Sequence, residues 1–242
     1  MNTNGNIYTV VYTAIIVIAV AAVLAFASQR LKPLQDANEK AETISQILNA
    51  AQFEFDASSN DAILAFYKEN ISFAMLLDAG GETVGELNTE EAEIVGLSEL
   101  KAQNANIKNG ADYAIPIYFF KNGVKVVPIY GAGLWGPVWG YIALAPQGSE
   151  IVGAYFDHAS ETPGLGGKIK DDPAFRGQFA GKSVDYADAA YILGIVKGGA
   201  PEGKANAVDA ISGATMTSKG LDEAINVWLR AYAGFLNQQV EE

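Results

Sequence analysis

The chain has 242 residues, half of them hydrophobic, with a formal net charge of −12, no cysteine and one histidine. This size allows one large domain or two small ones, and the hydrophobic content argues against disorder. The acidic charge and the lack of a basic stripe argue against nucleic acid as a partner. Without cysteine, disulfides and thiolate-ligated metal or iron–sulfur sites are excluded, so redox chemistry here needs an organic cofactor.

An uncharged apolar run occupies residues 8–27 near the N-terminus. Its twenty residues span about 30 Å as a helix, which is the thickness of a bilayer core. A buried helix and a cleaved signal peptide, with the small-x-small residues 25–27 as its cleavage site, are the alternatives. The first seven residues lack Lys and Arg, and the run exceeds a usual signal-peptide core. We therefore predict a retained transmembrane anchor within residues 1–33.

The next region, residues 34–110, is predicted to contain a stalk helix and a small α/β part. The elements predicted in chain order are a helix over 34–52, a helix over 62–70 capped by Asn60 and Asp61, strands over 71–78 and 83–87, and helix and loop over 88–111. The stalk helix has an apolar face made of Ala41, Ile44, Ile47 and Leu48.

From residue 111 onward the pattern is typical of β-structure. The predicted strands cover 113–120, 124–130, 139–145 and 151–157. Asn122-Gly123 between the first two strands is a strong hairpin signal. Pro116 and Pro128 are expected at sheet edges or strand ends, because proline cannot donate to a strand ladder. A helix with regular apolar spacing follows residue 218, so we predict an α+β fold with mostly antiparallel sheets flanked by helices.

The segment before this last helix is rich in side-chain oxygen, and it reads Asp209-Ala210-Ile211-Ser212-Gly213-Ala214-Thr215-Met216-Thr217-Ser218. A helix N-terminus offers free backbone N–H groups and a positive dipole, so this segment suits a phosphate. The alternative is that the same oxygens only cap the helix. No turnover catalyst and no metal ligand is predicted from the sequence.

Two glycine-rich stretches precede this segment. In residues 130–141, Leu134 and Trp135 either pack in the core or offer a flat apolar wall to a ring system. Residues 157–168 form a loop after a strand, where ligands are often held. The candidate residues of this loop are His158, Glu161, Thr162, Gly164 and Leu165.

The pattern Asp-x-x-Ser-Gly-Ala-Thr, which ends at Thr215, resembles the flavinylation motif of FMN-binding domains in respiratory membrane complexes. The resemblance implies that the Thr215 hydroxyl is joined to the phosphate of FMN by a separate flavin transferase. It also implies that residues 111–242 form the FMN-binding domain. The residues implied in cofactor binding besides Thr215 are Asp209, Ser212, Gly213, Ala214, Thr217, Ser218, Leu134, Trp135, His158, Glu161, Thr162, Gly164 and Leu165.

The Gly-Leu-Trp-Gly-Pro residues 133–137 resemble a signature of the NqrC family, whose members are subunits of the sodium-translocating NADH:quinone reductase. This family implies an electron relay from an iron–sulfur centre to another flavin, between NADH and ubiquinone, with other membrane subunits and membrane lipid as partners. The alternatives are the related flavinylated subunit of the ion-pumping ferredoxin:NAD oxidoreductase, a free-standing flavinylated carrier, and a cofactor-free anchored binding protein.

The orientation of the domain is open on the residues alone. Arg30 and Lys32 follow the apolar run, and the positive-inside bias would place the domain in the cytoplasm. A long domain can be translocated regardless of two charges. The resemblance implies the bacterial inner membrane with the domain on the periplasmic side, and we adopt this orientation as our prediction.

Overall fold

The computed structural model describes residues 5–188 and 191–237. Its contacts divide the chain into two units, Met1–Ala41 and Glu42–Glu242. The helices are α1 (Asn6–Ala50), α2 (Asn60–Asn70), α3 (Leu97–Asn109), α4 (Lys168–Asp171), α5 (Pro173–Gly177) and α6 (Thr215–Leu236), and Thr89–Glu91 forms a 3-10 turn. The strands are β1 (Ile71–Leu77), β2 (Thr83–Leu87), β3 (Ile115–Phe120), β4 (Lys125–Ala132), β5 (Pro137–Leu144), β6 (Ile151–His158), β7 (Gly194–Val196) and β8 (Ala207–Asp209).

The first unit contains the apolar part of α1. Its most apolar window has a mean hydropathy of 2.8 and buries none of its surface inside the protein. Among the described residues, α1 is the one helix long and apolar enough to cross a membrane. The helix continues through Pro33, so the predicted boundary at residue 33 lies inside α1 and stays a prediction.

The second unit is built on a six-stranded sheet in the order β2-β1-β3-β4-β5-β6. Every neighbouring pair in this sheet is antiparallel, which confirms the predicted α+β fold with antiparallel pairing. Strands β1 and β3 pair across the boundary predicted at residue 110, and that boundary also stays a prediction. The parallel pair β7–β8 was not predicted, because strands of three residues are too short to show a period.

The hairpin between β3 and β4 has the predicted turn. The N–H of Gly123 donates to the Phe120 carbonyl over 2.8 Å, and the N–H of Phe120 donates to the Val124 carbonyl over 2.9 Å. Gly123 has a φ of +85°, in the left-handed region that glycine adopts without strain. The Asn-Gly signal is therefore confirmed.

The placement expected for Pro128 is wrong, because this residue lies in the middle of β4, an interior strand. The ladder between β3 and β4 pairs Tyr118 with Val126 and Phe119 with Lys125, and Pro128 lies beyond it. The sheet tolerates the missing N–H there because β3 and β4 have already diverged. A second correction concerns α2, whose N-cap is Ser59 rather than Asn60 or Asp61.

Helix α6 packs directly on β4, and this contact positions the site. Trp228 is fully buried, and its indole N–H donates to the Tyr130 carbonyl over 2.9 Å. A side chain at Gly131 would meet the Ala224 methyl group at 2.6 Å, and one at Gly220 would overlap the Ala132 carbonyl oxygen. The glycines let the helix and the strand approach until their backbones almost touch.

We expect Gly220→Ala to destabilise the protein by about 1–3 kcal/mol, because a methyl group would push α6 off β4. The sign of this stability change distinguishes close packing from helix propensity, because alanine in a free helix is more favourable than glycine by about 0.5–1 kcal/mol. Thermal unfolding of the detergent-solubilised chain measures the change. Gly177→Ala is the control, because a Cβ there meets no atom within 4 Å. A Gly220→Ala variant as stable as the parent chain would contradict this account of the packing.

Candidate functional site

Thr215 is the first residue of α6, and its side chain is exposed. Ala214 occupies the N-cap position, and within the described residues no side chain makes a capping hydrogen bond there. The first N–H groups of an α-helix lack intrahelical partners, and the dipole is positive at this end. An anionic group therefore fits beside the Thr215 hydroxyl, and the alternative of a purely structural cap loses its main support.

The loop before α6 is held from inside the protein. Ser218 is 2% exposed, and its hydroxyl accepts a hydrogen bond from the Ile211 N–H over 3.1 Å. The Ala214 N–H donates to the Ile211 carbonyl over 3.1 Å, which closes a turn around Gly213 at a φ of +80°. Ser218 thus lies on the buried side of the motif, whereas Ser212 and Gly213 lie on its exposed side.

Asp209 ends β8, and its side chain is exposed. Its carboxylate accepts a hydrogen bond from the Ala200 N–H over 2.7 Å, and its own N–H donates to Gln178 Oε1 over 2.8 Å. Asp209 therefore ties the flavinylation-like motif to the loop that contains Ala200, and it remains accessible from solvent.

Glu161 joins the three sequence motifs at one point. Its side chain is buried, with 4% of its surface exposed. One carboxylate oxygen accepts from the Trp135 N–H over 2.8 Å, and the other accepts from the Thr217 hydroxyl over 2.6 Å. Thr217 is 1% exposed and, like Ser218, points into the protein. The carboxylate thus connects the glycine-rich turn, the loop after β6 and the first turn of α6.

Two glycines make room for this carboxylate. A Cβ at Gly133 would overlap Glu161 Oε1, and a Cβ at Gly166 would overlap Glu161 Oε2 and lie 2.5 Å from the Thr217 hydroxyl oxygen. The Gly133 N–H also donates to the Gly136 carbonyl over 2.7 Å, which closes the tight turn that presents Leu134 and Trp135. One glycine from each stretch, Gly133 and Gly166, therefore allows close packing around Glu161.

The loop after β6 also reaches the Thr215 motif through Leu165. A Cβ at Gly213 would lie 3.0 Å from Leu165 Cδ2, so these residues are neighbours. The Thr162 carbonyl accepts from the N–H groups of Leu165 and Gly167 over 3.1 and 2.9 Å, and Gly164 has a φ of +75°. This tight turn leaves the side chains of Thr162 and Leu165 exposed.

Four large apolar side chains are exposed on the segments that Glu161 and Gly213 bring together. Their exposed fractions are 50% for Leu134, 67% for Trp135, 44% for Leu165 and 56% for Met216. Met216 was not among the residues predicted from the sequence, although its place next to Thr215 could have indicated it. Exposed apolar surface around a helix N-terminus suits a ligand with an anionic end and a planar ring system.

His158 lies at the end of β6 and is partly buried. Its Nδ1 accepts a hydrogen bond from the Glu161 N–H over 3.1 Å, so this nitrogen is engaged with the protein. His158 thereby supports the backbone at Glu161, and a flavin link through the imidazole would have to use the other nitrogen.

A buried polar network that was not predicted from the sequence lies next to this loop. The Asp157 carboxylate accepts from Lys170 Nζ over 2.8 Å and from Gln46 Nε2 over 3.1 Å, and Gln46 Oε1 accepts from the Trp139 indole N–H over 3.2 Å. Asp157 and Gln46 are 111 positions apart in sequence, so no local pattern could have revealed their contact. The network anchors the strand end that leads into His158 and Glu161.

The fold and the site define the class of protein, which is an FMN-binding domain protein. Residues 133–230 match the family described as the FMN-binding domain. The matched range contains the glycine-rich turn from Gly133 onward, the loop after β6, the Thr215 motif and most of α6. The contacts that join these segments therefore lie within the part of the chain that matches the FMN-binding domain.

The relatives identify the family within this class. The chain is 29% identical over 217 residues to the NqrC subunit of the Na(+)-translocating NADH-quinone reductase of Vibrio vulnificus strain YJ016, a match that covers 86% of this chain and 84% of the relative. The corresponding NqrC of Yersinia pestis is 43% identical over 105 residues, covering 43% of this chain and 39% of the relative.

Solved structures agree with these relatives. The crystal structure of NqrC from Parabacteroides distasonis is 32% identical, with a TM-score of 0.70, and covers 85% of this chain and 96% of that one. The crystal structure of Shewanella oneidensis NqrC is 25% identical, with a TM-score of 0.67, and covers 85% of this chain and all 100% of that one. The chain belongs to the NqrC family, the FMN-binding subunits of the Na+-translocating NADH-quinone reductases.

This assignment confirms the predicted family and its oxidoreductase, flavoprotein class, and it favours this family over the related subunit of the ferredoxin:NAD oxidoreductase. The chain is a membrane-associated subunit with one candidate N-terminal membrane helix in its described residues. The residues present fit FMN, because an exposed hydroxyl at a helix N-terminus lies among exposed apolar side chains. The individual cofactor contacts stay predictions.

The ion pair between Lys170 and Asp157 should give a defined alkaline response. Partial burial lowers the pKa of Lys170, but the hydrogen bond and charge of Asp157, together with the nearby Tyr155 and Glu42, outweigh it, so the pKa is raised above its ordinary 10.5. A raised lysine pKa contributes stability that is fully present below pH 10.5 and is lost as the pH rises through the folded-state value.

Above pH 10.5, we expect the unfolding free energy of the parent chain to fall more steeply with pH than that of Lys170→Met. Urea denaturation across a pH series measures both. Lys108→Met removes an exposed ion pair with Glu223 and serves as the control. If the unfolding free energies of the parent chain and Lys170→Met changed in parallel with pH, the stabilising role of the Lys170–Asp157 ion pair would be contradicted.

Proposed function

We propose that this chain is the covalently flavinylated electron-transfer subunit of a membrane Na+-translocating NADH-quinone reductase. The observation that carries the proposal is the exposed Thr215 hydroxyl at the uncapped N-terminus of the 22-residue helix α6. The family assignment and the match to the FMN-binding domain support the cofactor and the complex.

In the proposed attachment, the Thr215 oxygen forms a phosphoester bond with the FMN phosphate of FAD. The phosphoanhydride bond of FAD breaks, AMP leaves, and the hydroxyl proton passes to solvent or to a base of the flavin transferase. The free N–H groups and the positive dipole of the first turn of α6 stabilise the attached phosphate. Thr215 is thus a nucleophile for attachment and takes no part in turnover.

The side chains around Thr215 divide into two roles. Asp209, Ser212, Gly213 and Ala214 shape the loop that the flavin transferase recognises, because the first three are exposed in the segment that leads to Thr215. The exposed apolar side chains lie against the ring system, and this group comprises Leu134, Trp135, Leu165 and Met216. In this proposal Gly164 contacts the ring system together with Leu165, and the hydroxyl of Thr162 forms a hydrogen bond with the cofactor.

FMN supplies one-electron and two-electron chemistry that a cysteine-free chain lacks. The proposed route runs from an iron–sulfur centre through this site to another flavin, on the way from NADH to ubiquinone. The apolar run 8–27 contains no Asp, Glu, Lys, Arg or His, so we assign sodium transport to other subunits. Tethering the cofactor keeps it at an effective concentration on the order of millimolar for its partners.

The central experiment compares the intact mass of the chain from its native host with that of Thr215→Val. We expect the parent chain to gain the mass of FMN less one water, and we expect Thr215→Val to lose this gain, because valine has no nucleophilic oxygen. Thr83→Val, which changes an exposed threonine on β2, is the control and should keep the added mass. A parent chain without added mass, from a host with active flavin transferase, would overturn the covalent proposal.

We further propose that the chain lies in the bacterial inner membrane, with residues 42–242 on the periplasmic side. Because the chain has no cysteine, single cysteines report topology cleanly. We expect Ala180→Cys, at an exposed position, to react with a membrane-impermeant maleimide in intact spheroplasts. Asn4→Cys should react only after the membrane is opened, and the reverse pattern would place the domain in the cytoplasm.

A further inference from the structure

Glu161 has an unusual position for an acidic residue. It is 4% exposed, and within the described residues it takes part in no ion pair. Burial of a carboxylate is costly unless its oxygens are hydrogen-bonded. Both oxygens of Glu161 are already occupied, one by the Trp135 N–H and the other by the Thr217 hydroxyl. The carboxylate therefore acts on the site through protein groups.

The two partners of Glu161 belong to the two walls of the flavin site. Trp135 follows Leu134 in the tight turn, and its side chain is 67% exposed. Thr217 lies two residues after Thr215, in the same first turn of α6. One side chain thus fixes the separation between the apolar wall and the attachment point.

The packing around Glu161 leaves little room for another arrangement. Gly133 and Gly166 lie so close that a Cβ at either position would overlap a carboxylate oxygen. The N–H of Glu161 is itself held by His158 Nδ1 over 3.1 Å, which fixes the backbone that carries the carboxylate. The side chain is therefore constrained from both sides and from its own backbone.

We propose that Glu161 is the positioning residue of the flavin site. Its two hydrogen bonds hold the Trp135 turn against the first turn of α6, and this contact sets the orientation of the ring system relative to the protein. The inference rests on the proposed function, because it concerns the orientation of an FMN attached at Thr215.

The test uses the full chain and two pairs of variants. Thr217→Val and Glu161→Met replace a hydrogen-bonding group by an apolar group of similar size, and both should lose the hydrogen bond between Glu161 and Thr217. Thr217→Ser keeps a hydroxyl, and Glu161→Gln keeps an acceptor for the Trp135 N–H while its amide can donate to Thr217. Tyr232→Phe is the matched control, because it removes another buried hydrogen bond of α6, the one of 2.7 Å to the Pro116 carbonyl.

The main readout is the visible circular dichroism of bound FMN, scaled to the FMN content measured by intact mass. We expect Thr217→Val and Glu161→Met to lose most of this signal, whereas Thr217→Ser, Glu161→Gln and Tyr232→Phe retain it. The double variant Glu161→Met with Thr217→Val should lose no more than Glu161→Met alone, because both changes remove one shared interaction. Parent-like spectra for Thr217→Val and Glu161→Met, or an equal loss in Tyr232→Phe, would overturn the proposal.

A second readout separates this inference from the proposed function. This readout uses chains that carry Thr215→Val and therefore no FMN. In these chains, amide hydrogen exchange over residues 133–137 reports the hydrogen bond from the Trp135 N–H to Glu161. We expect exchange roughly tenfold faster with Glu161→Met, the fold-change that the loss of one hydrogen bond to a charged group gives. Unchanged exchange would overturn the positioning role, whereas a parent chain without FMN would overturn only the proposed function.

Discussion

The close packing of α6 on β4 is the contact on which the rest of the site depends. Gly131 on the strand and Gly220 on the helix allow the two backbones to approach, and Trp228 fixes the helix through its hydrogen bond to the Tyr130 carbonyl. Because α6 begins at Thr215, this packing also fixes where the first turn of the helix lies. Strand β4 leads directly into the glycine-rich turn, so one contact places both walls of the site.

Around this contact, the three motifs are joined by short polar links and close glycine contacts. Glu161 connects Trp135 to Thr217, and Leu165 lies against Gly213. The result is an open surface site, with the Thr215 hydroxyl and the apolar side chains exposed. Such a site suits the tethered cofactor that we propose, since an enclosing pocket would hold other redox groups at a distance from it.

Much of the fold followed from local sequence patterns. The apolar run predicted the long helix at the N-terminus, Asn122-Gly123 predicted the β3–β4 hairpin, and helical spacing predicted α6. Pro128 was misplaced because a proline reveals a missing donor but not where neighbouring strands diverge. The cap of α2 was misplaced by one residue, because Ser59, Asn60 and Asp61 are all good caps and only the backbone selects among them.

The sequence by itself determined the class of site, because a threonine in an oxygen-rich segment before a helix and two glycine-rich loops are visible without coordinates. It also determined that the redox chemistry of a chain without cysteine must come from an organic cofactor. Only the tertiary structure decided which oxygens face solvent and which face inward. Thr215 and Thr217 carry the same hydroxyl group, but they differ in direction by about 200° around a helix of 3.6 residues per turn. Thr215 is therefore exposed, whereas Thr217 donates a hydrogen bond to Glu161.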